Sequence, residues 1–367
     1  MTRTLFFLTA LSAMLFALTA VLIRIELFAP GVSPLFQAAD AIPDSAKFNR
    51  VTQFHALMGY LTTLLLGTTL AAAGREKGGL FAVPVMGLGM MLSALAFVAT
   101  VLITWPVPDG GGGLAGWSLY PSDAQRPTSL FEAVTLMVNI DPFFTDVPMV
   151  ALIQTLTLPA SGLLTLSFYV LLSTQPKLRW VAVPGVVLTL VMVFVSTTWV
   201  LYADPVNTNA LLLLPLFPFL AAACVRMTDD PPAWLVTLTL GVLCVIVLGV
   251  GLFAWADTLP VEGTQVGVAA LYLYPLGLGW FALPALIQVR WGTRLPAPLI
   301  WTLPAAILTL LLLWTAPLFR TGLNGQPRGY IDYPDGLAAD NMGATLATGV
   351  FVVGYLAIIT LVRRSRT

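Results

Sequence analysis

Few side chains in this sequence can bind a metal. His55 is the only histidine, and the two cysteines, Cys224 and Cys244, lie in apolar runs without the CxxC spacing of a thiolate site. A transition-metal site needs several nitrogen or sulfur ligands in a defined geometry, and one imidazole with two dispersed thiols does not supply them. The cysteines read as small buried hydrophobes. Met86, Met90 and Met91 are a conceivable soft-metal cluster, the first two one helical turn apart. A Met-rich helix segment is, however, ordinarily packing material. The glycine run Gly110–Gly113 lacks the Lys and Ser/Thr that complete a phosphate-binding loop and reads as a connector.

The elements that must position these residues are membrane helices. Of 367 residues, 58% are hydrophobic and 9% charged, against about 25% charged in a soluble domain. Apolar runs of roughly 20 residues recur, each long enough to cross a hydrocarbon core of about 30 Å. The first, Leu5 to Ile23, is not closed by a small-residue cleavage site and reads as a span rather than a signal peptide. Apolar runs set against Pro, Gly and charge clusters predict about ten spans, near 4–23, 54–73, 81–105, 147–173, 180–202, 207–225, 233–256, 265–289, 297–318 and 344–362. The expected fold is an all-α polytopic transmembrane bundle forming one domain over 1–367.

Charge supports an even number of spans. Arg3, Arg75, Lys77, Lys177, Arg179, Arg226, Arg290, Arg294, Arg363, Arg364 and Arg366 then share one side, which carries only Glu76, Asp229 and Asp230 as acids. Because Lys and Arg accumulate on the cytoplasmic side, both termini are expected there, in a bacterial-type inner membrane. A net charge of zero gives no basic face for nucleic acid. The lipid bilayer is the expected surrounding. Within the spans every Asp, Glu, Lys and Arg falls near an end, so no buried charged relay is expected. Gln154, Tyr272, Tyr274 and the Thr-rich faces remain, and such groups commonly bridge helices.

Three stretches resemble subunit I of the cytochrome c oxidase branch of the haem-copper oxidases. Arg24-Ile25-Glu26-Leu27, then Phe48-Asn49 and His55, is similar to the family's Arg-x-Glu-Leu segment, followed by an Asn and a low-spin haem ligand, with an inserted loop around Pro34 to Ala46. Gly116-Trp117-Ser118-Leu119-Tyr120-Pro121 resembles its Gly-Trp-Thr-x-Tyr-Pro-Pro segment, and Pro327-Arg328-Gly329-Tyr330-Ile331-Asp332-Tyr333-Pro334-Asp335 its Pro-Arg-Arg-Tyr-x-Asp-Tyr-Pro-Asp loop. The match holds at both ends of the chain and is vague between about 175 and 320.

The resemblance implies a haem-edge role for Arg24, Trp117 and Arg328 and axial ligation of one haem iron by His55, alone or completed by methionine. The competing reading makes them a structural cap tying the outer loops. The family's copper and second haem need histidines that this chain lacks, so no copper is expected, and neither is oxygen reduction in this chain. The expectation is a non-catalytic, or at most single-haem, subunit or assembly partner of a respiratory membrane complex. The alternative is a transporter or channel for a metal ion or small solute on the same framework.

Overall fold

A computed structural model of the chain describes residues 2–29, 44–104, 149–202, 232–256, 264–273, 275–291, 295–326 and 335–365. These residues form ten α-helices: α1 (Thr2–Phe28), α2 (Asp44–Glu76), α3 (Ala82–Thr104), α4 (Met149–Leu172), α5 (Arg179–Tyr202), α6 (Ala233–Ala256), α7 (Gln265–Leu273), α8 (Pro275–Trp291), α9 (Ala297–Leu323) and α10 (Ala338–Arg364). Among the described residues five stretches are long and apolar enough to cross a membrane: Thr2–Phe28, Phe54–Glu76, Pro176–Val193, Pro298–Leu323 and Ala338–Arg364. The described part of the chain is thus helical, with several apolar helices suited to lipid. The expected span at 207–225 lies outside the described residues.

Two expectations are corrected. The run 265–289 forms two helices, α7 and α8, with Pro275 opening the second. Proline has no N–H to give and fits the first helical position. Helix α1 also runs past the end of its expected span to Phe28, because Arg24 to Phe28 contains neither Gly nor Pro. Arg24 and Glu26 therefore lie inside the helix, 5% and 3% exposed, so buried charge is present after all.

Helix α2 is the centre of the bundle, packed by α1, α3, α4 and α8. Glycine allows its close approach to α4. A Cβ on Gly67 would stand 3.2 Å from Leu163 Cγ, and one on Gly74 would stand 2.6 Å from Val170 Cγ1. Both pairs lie seven residues apart on each helix, the repeat of a continuous packing seam. Small residues at such a seam are how helices associate in lipid, where apolar surface alone gives no preference for protein over acyl chains. Beyond α2, α9 packs on α6, α7 and α10, and α10 returns to α1 and α8.

The other seam of α2, against α1, is polar. Thr2 Oγ1 donates to Glu76 Oε1 at 2.6 Å, Thr9 and Thr69 hydroxyls are 3.0 Å apart, Ser12 and Thr62 are 2.6 Å apart, and Thr19 Oγ1 lies 2.9 Å from His55 Nδ1. On α2 the partners are residues 55, 62, 69 and 76, a strict seven-residue repeat met by an antiparallel α1. Ion pairs mark the two ends of the bundle. Arg290 approaches Glu76 at 3.5 Å at one end, and Arg320 pairs with Asp340 at 2.9 Å at the other.

Replacing Gly74 by Val is expected to lower stability by about 1–3 kcal/mol through overpacking against Val170. The same change at Gly87, where an added Cβ meets nothing within 4 Å, serves as control for helix propensity. Thermal unfolding of the two variants in one detergent measures the difference.

Candidate functional site

His55 is the first of the described α2 residues to be buried, and two other helices, α1 and α7, reach its ring. From α1, Phe16 stacks on the imidazole face with centroids 4.3 Å apart and planes 9° from parallel, and Thr19 and the Phe16 carbonyl flank Nδ1 at 2.9 and 3.1 Å. From α7, the Tyr272 hydroxyl lies 2.7 Å from Nε2. A carbonyl oxygen only accepts, so the contact with Phe16 places the proton on Nδ1. Nε2 of the neutral ring is then an acceptor, and Tyr272 donates to it. Both nitrogens are satisfied within the protein.

Tyr272 is in turn supported from behind. Its ring stacks on Trp314 of α9 at 4.3 Å, and Trp314 stacks on Phe351 of α10 at 4.3 Å. Trp314 Nε1 donates to Thr348 Oγ1 at 3.0 Å. Trp280 of α8 lies edge-on to Phe351 and Tyr355, each at 4.9 Å, and its carbonyl accepts from the Tyr355 hydroxyl at 2.8 Å. An aromatic cluster thus joins six helices around one histidine. Paired rings of this kind contribute roughly 0.5–1.5 kcal/mol each beyond the area they bury.

Towards the end of the bundle that holds Asp340, Arg24 Nη2 donates to Gln265 Oε1 at 3.0 Å, and Thr345 Oγ1 donates to the Arg24 carbonyl at 2.9 Å. Gln265 and Tyr272 are two turns apart on α7 and share a face. The Gln265 N–H donates to the Gln326 carbonyl at 3.1 Å, and Asn341 Nδ2 donates to Gln326 Oε1 at 2.9 Å. Arg24 Nη1 is buried with no hydrogen-bond acceptor among the described residues.

Of the four expected site residues, His55 and Arg24 are placed at one end of the same α1–α2 contact. Trp117 and Arg328 lie outside the described residues, as do Tyr274 and Cys224. Met86 is 2% exposed whereas Met90 and Met91 are 45% and 55% exposed, so the three thioethers do not form one site. Tyr272, expected as a group that bridges helices, does so by reaching His55 from α7. Its partner lies 217 positions away, and no local pattern points to it.

The residues around His55 do not fit a haem. Iron needs a bare imidazole lone pair, and here Tyr272 takes it. A nearby cavity, lined by Phe16, Gly59, Thr62 and Trp280, has a volume of about 30 Å³, against several hundred Å³ for even a small organic ligand. No protein-family model and no curated protein matches the chain.

Thr348→Val is expected to lower stability by about 1–3 kcal/mol, since it strands a buried indole N–H. Combined with Trp314→Phe, the two losses should amount to less than their sum, because the second change removes the stranded donor. A double-mutant cycle read by thermal unfolding checks the sign of the coupling.

Proposed function

We propose that this chain is a non-catalytic, or at most single-haem, membrane subunit resembling haem-copper oxidase subunit I, which packs with another respiratory membrane protein or aids its assembly. The observation that carries this reading is the use made of His55. The one histidine in the sequence stands where the family places a haem ligand, and it ties α1, α2 and α7 together through Thr19, Phe16 and Tyr272. Arg24, at the position of the family's conserved segment after the first span, likewise ties α1 to α7 and α10. Such a site can hold helices in register. Among the described residues no group of three His, Cys, Asp or Glu side chains could hold a metal ion.

The membrane reading extends to orientation. The sorting of Lys and Arg to the side of Glu76 supports a reading with both termini in the cytoplasm and the chain in a bacterial-type inner membrane. A partner would meet the chain on apolar surface such as Phe7, Met14 and Leu18 of α1 or Leu346, Val350 and Val353 of α10, all exposed on the isolated protein. The transporter reading draws no support from the methionines, which point into different surroundings.

After extraction in mild detergent the protein is expected to carry another respiratory membrane subunit through two successive affinity steps and to reduce no oxygen by itself. Recovery of the chain alone, combined with solute flux in reconstituted vesicles, would favour the transporter instead. Oxygen reduction by the purified chain would overturn the non-catalytic assignment.

A further inference from the structure

We propose that this chain folds and accumulates without haem, because the Tyr272 hydroxyl holds the Nε2 of His55 that iron would need. The inference rests on the proposed function in taking His55 as the counterpart of a family haem ligand, and goes beyond it by naming what replaces the cofactor.

The geometry leaves iron no approach. Coordination uses the Nε2 lone pair along the outward axis of the imidazole, with the porphyrin lying across that axis. The Tyr272 oxygen sits there at 2.7 Å. The other nitrogen is closed by Thr19 and Phe16, and the ring face by the Phe16 side chain. Tyr272 cannot swing aside alone, because Trp314 stacks on it and is itself held by Thr348 and Phe351. Tyr272 is 8% exposed, Trp314 and Phe351 2% each, and His55 5%, so the space a macrocycle would occupy is already filled by protein. Withdrawing the phenol would leave a buried imidazole acceptor and a buried phenol donor both unmet in a medium without water. The hydrogen bond thus does for α2 and α7 what a shared ligand would otherwise do.

The test uses the full chain expressed in a host whose haem synthesis can be switched off. The amount in the membrane and the apparent Tm in detergent are expected to be the same with and without haem supply. Tyr272→Phe, which removes one oxygen, should lower Tm by roughly 2–4 °C. His55→Gln, whose amide oxygen can still accept from the phenol, should lose less than His55→Leu. The double variant Tyr272→Phe with His55→Leu should be no worse than the poorer single one.

The proposal is overturned if accumulation falls with haem supply, if the purified chain carries a haem whose spectrum disappears in His55→Gln, or if Tyr272→Phe leaves Tm unchanged. A single bound haem would sink this proposal while leaving the non-catalytic subunit standing. Oxygen reduction or the lack of any partner would sink that reading and not this one.

Discussion

A hydroxyl, amide or imidazole placed inside a hydrocarbon core has no water to turn to, and each one left unpaired costs several times what it would cost in contact with solvent. This chain puts many such groups into its central helices and satisfies most of them inside the protein. The hydroxyls of Thr9, Thr63, Thr68, Thr69, Thr165 and Ser167 all lie within donating distance of carbonyls one turn back on their own helices. Each hydroxyl has a single proton and two lone pairs. Across the α1–α2 seam one of Thr9 and Thr69 therefore donates and the other accepts, and Ser167 shares its proton between the Leu163 and Gly67 carbonyls. Individually, polar contacts between membrane helices contribute on the order of 0.6 kcal/mol. Their effect here lies in specificity, since the apolar surfaces around them are nearly interchangeable with lipid.

His55 is the point at which the polar seam between α1 and α2 meets the aromatic cluster shared by α7, α8, α9 and α10. One imidazole has two nitrogens facing opposite ways, which suits it to join elements on two sides. A residue with a single polar atom could not reach both Thr19 and Tyr272. The same property makes histidine a metal ligand with a second-sphere partner. The difference between the two uses is whether iron or a phenol stands at Nε2.

Much of the architecture was legible from hydropathy, because twenty apolar residues in a row have few alternatives to a membrane helix. The ends were less so. Arg24 and Glu26 looked like the close of a span, yet they continue α1 and are buried by neighbouring helices rather than by position along the chain. Pro275 was a visible signal for the division of 265–289, overridden in the reading by the unbroken apolar composition on both sides. His55 and Arg24 were legible as candidate site residues from their place in the chain. Tyr272 was legible only as a group that bridges helices; which helix it bridges to was not, since that depends on where α7 meets α2. The seven-residue recurrence of His55, Thr62, Thr69 and Glu76 was present in the sequence, but a polar repeat matters only once a second helix with matching groups is known to face it.

That recurrence has a mechanical consequence. Were α1 to slide along α2 by one helical turn, a shift of about 5.4 Å, none of its four polar partners would find its counterpart, and all four rungs would be lost together. A smooth apolar pair has no such threshold and can creep in small steps through many nearly equal positions. The α1–α2 pair is keyed instead at four points along its length, so that one register is singled out from those a smooth apolar pair would leave nearly equal.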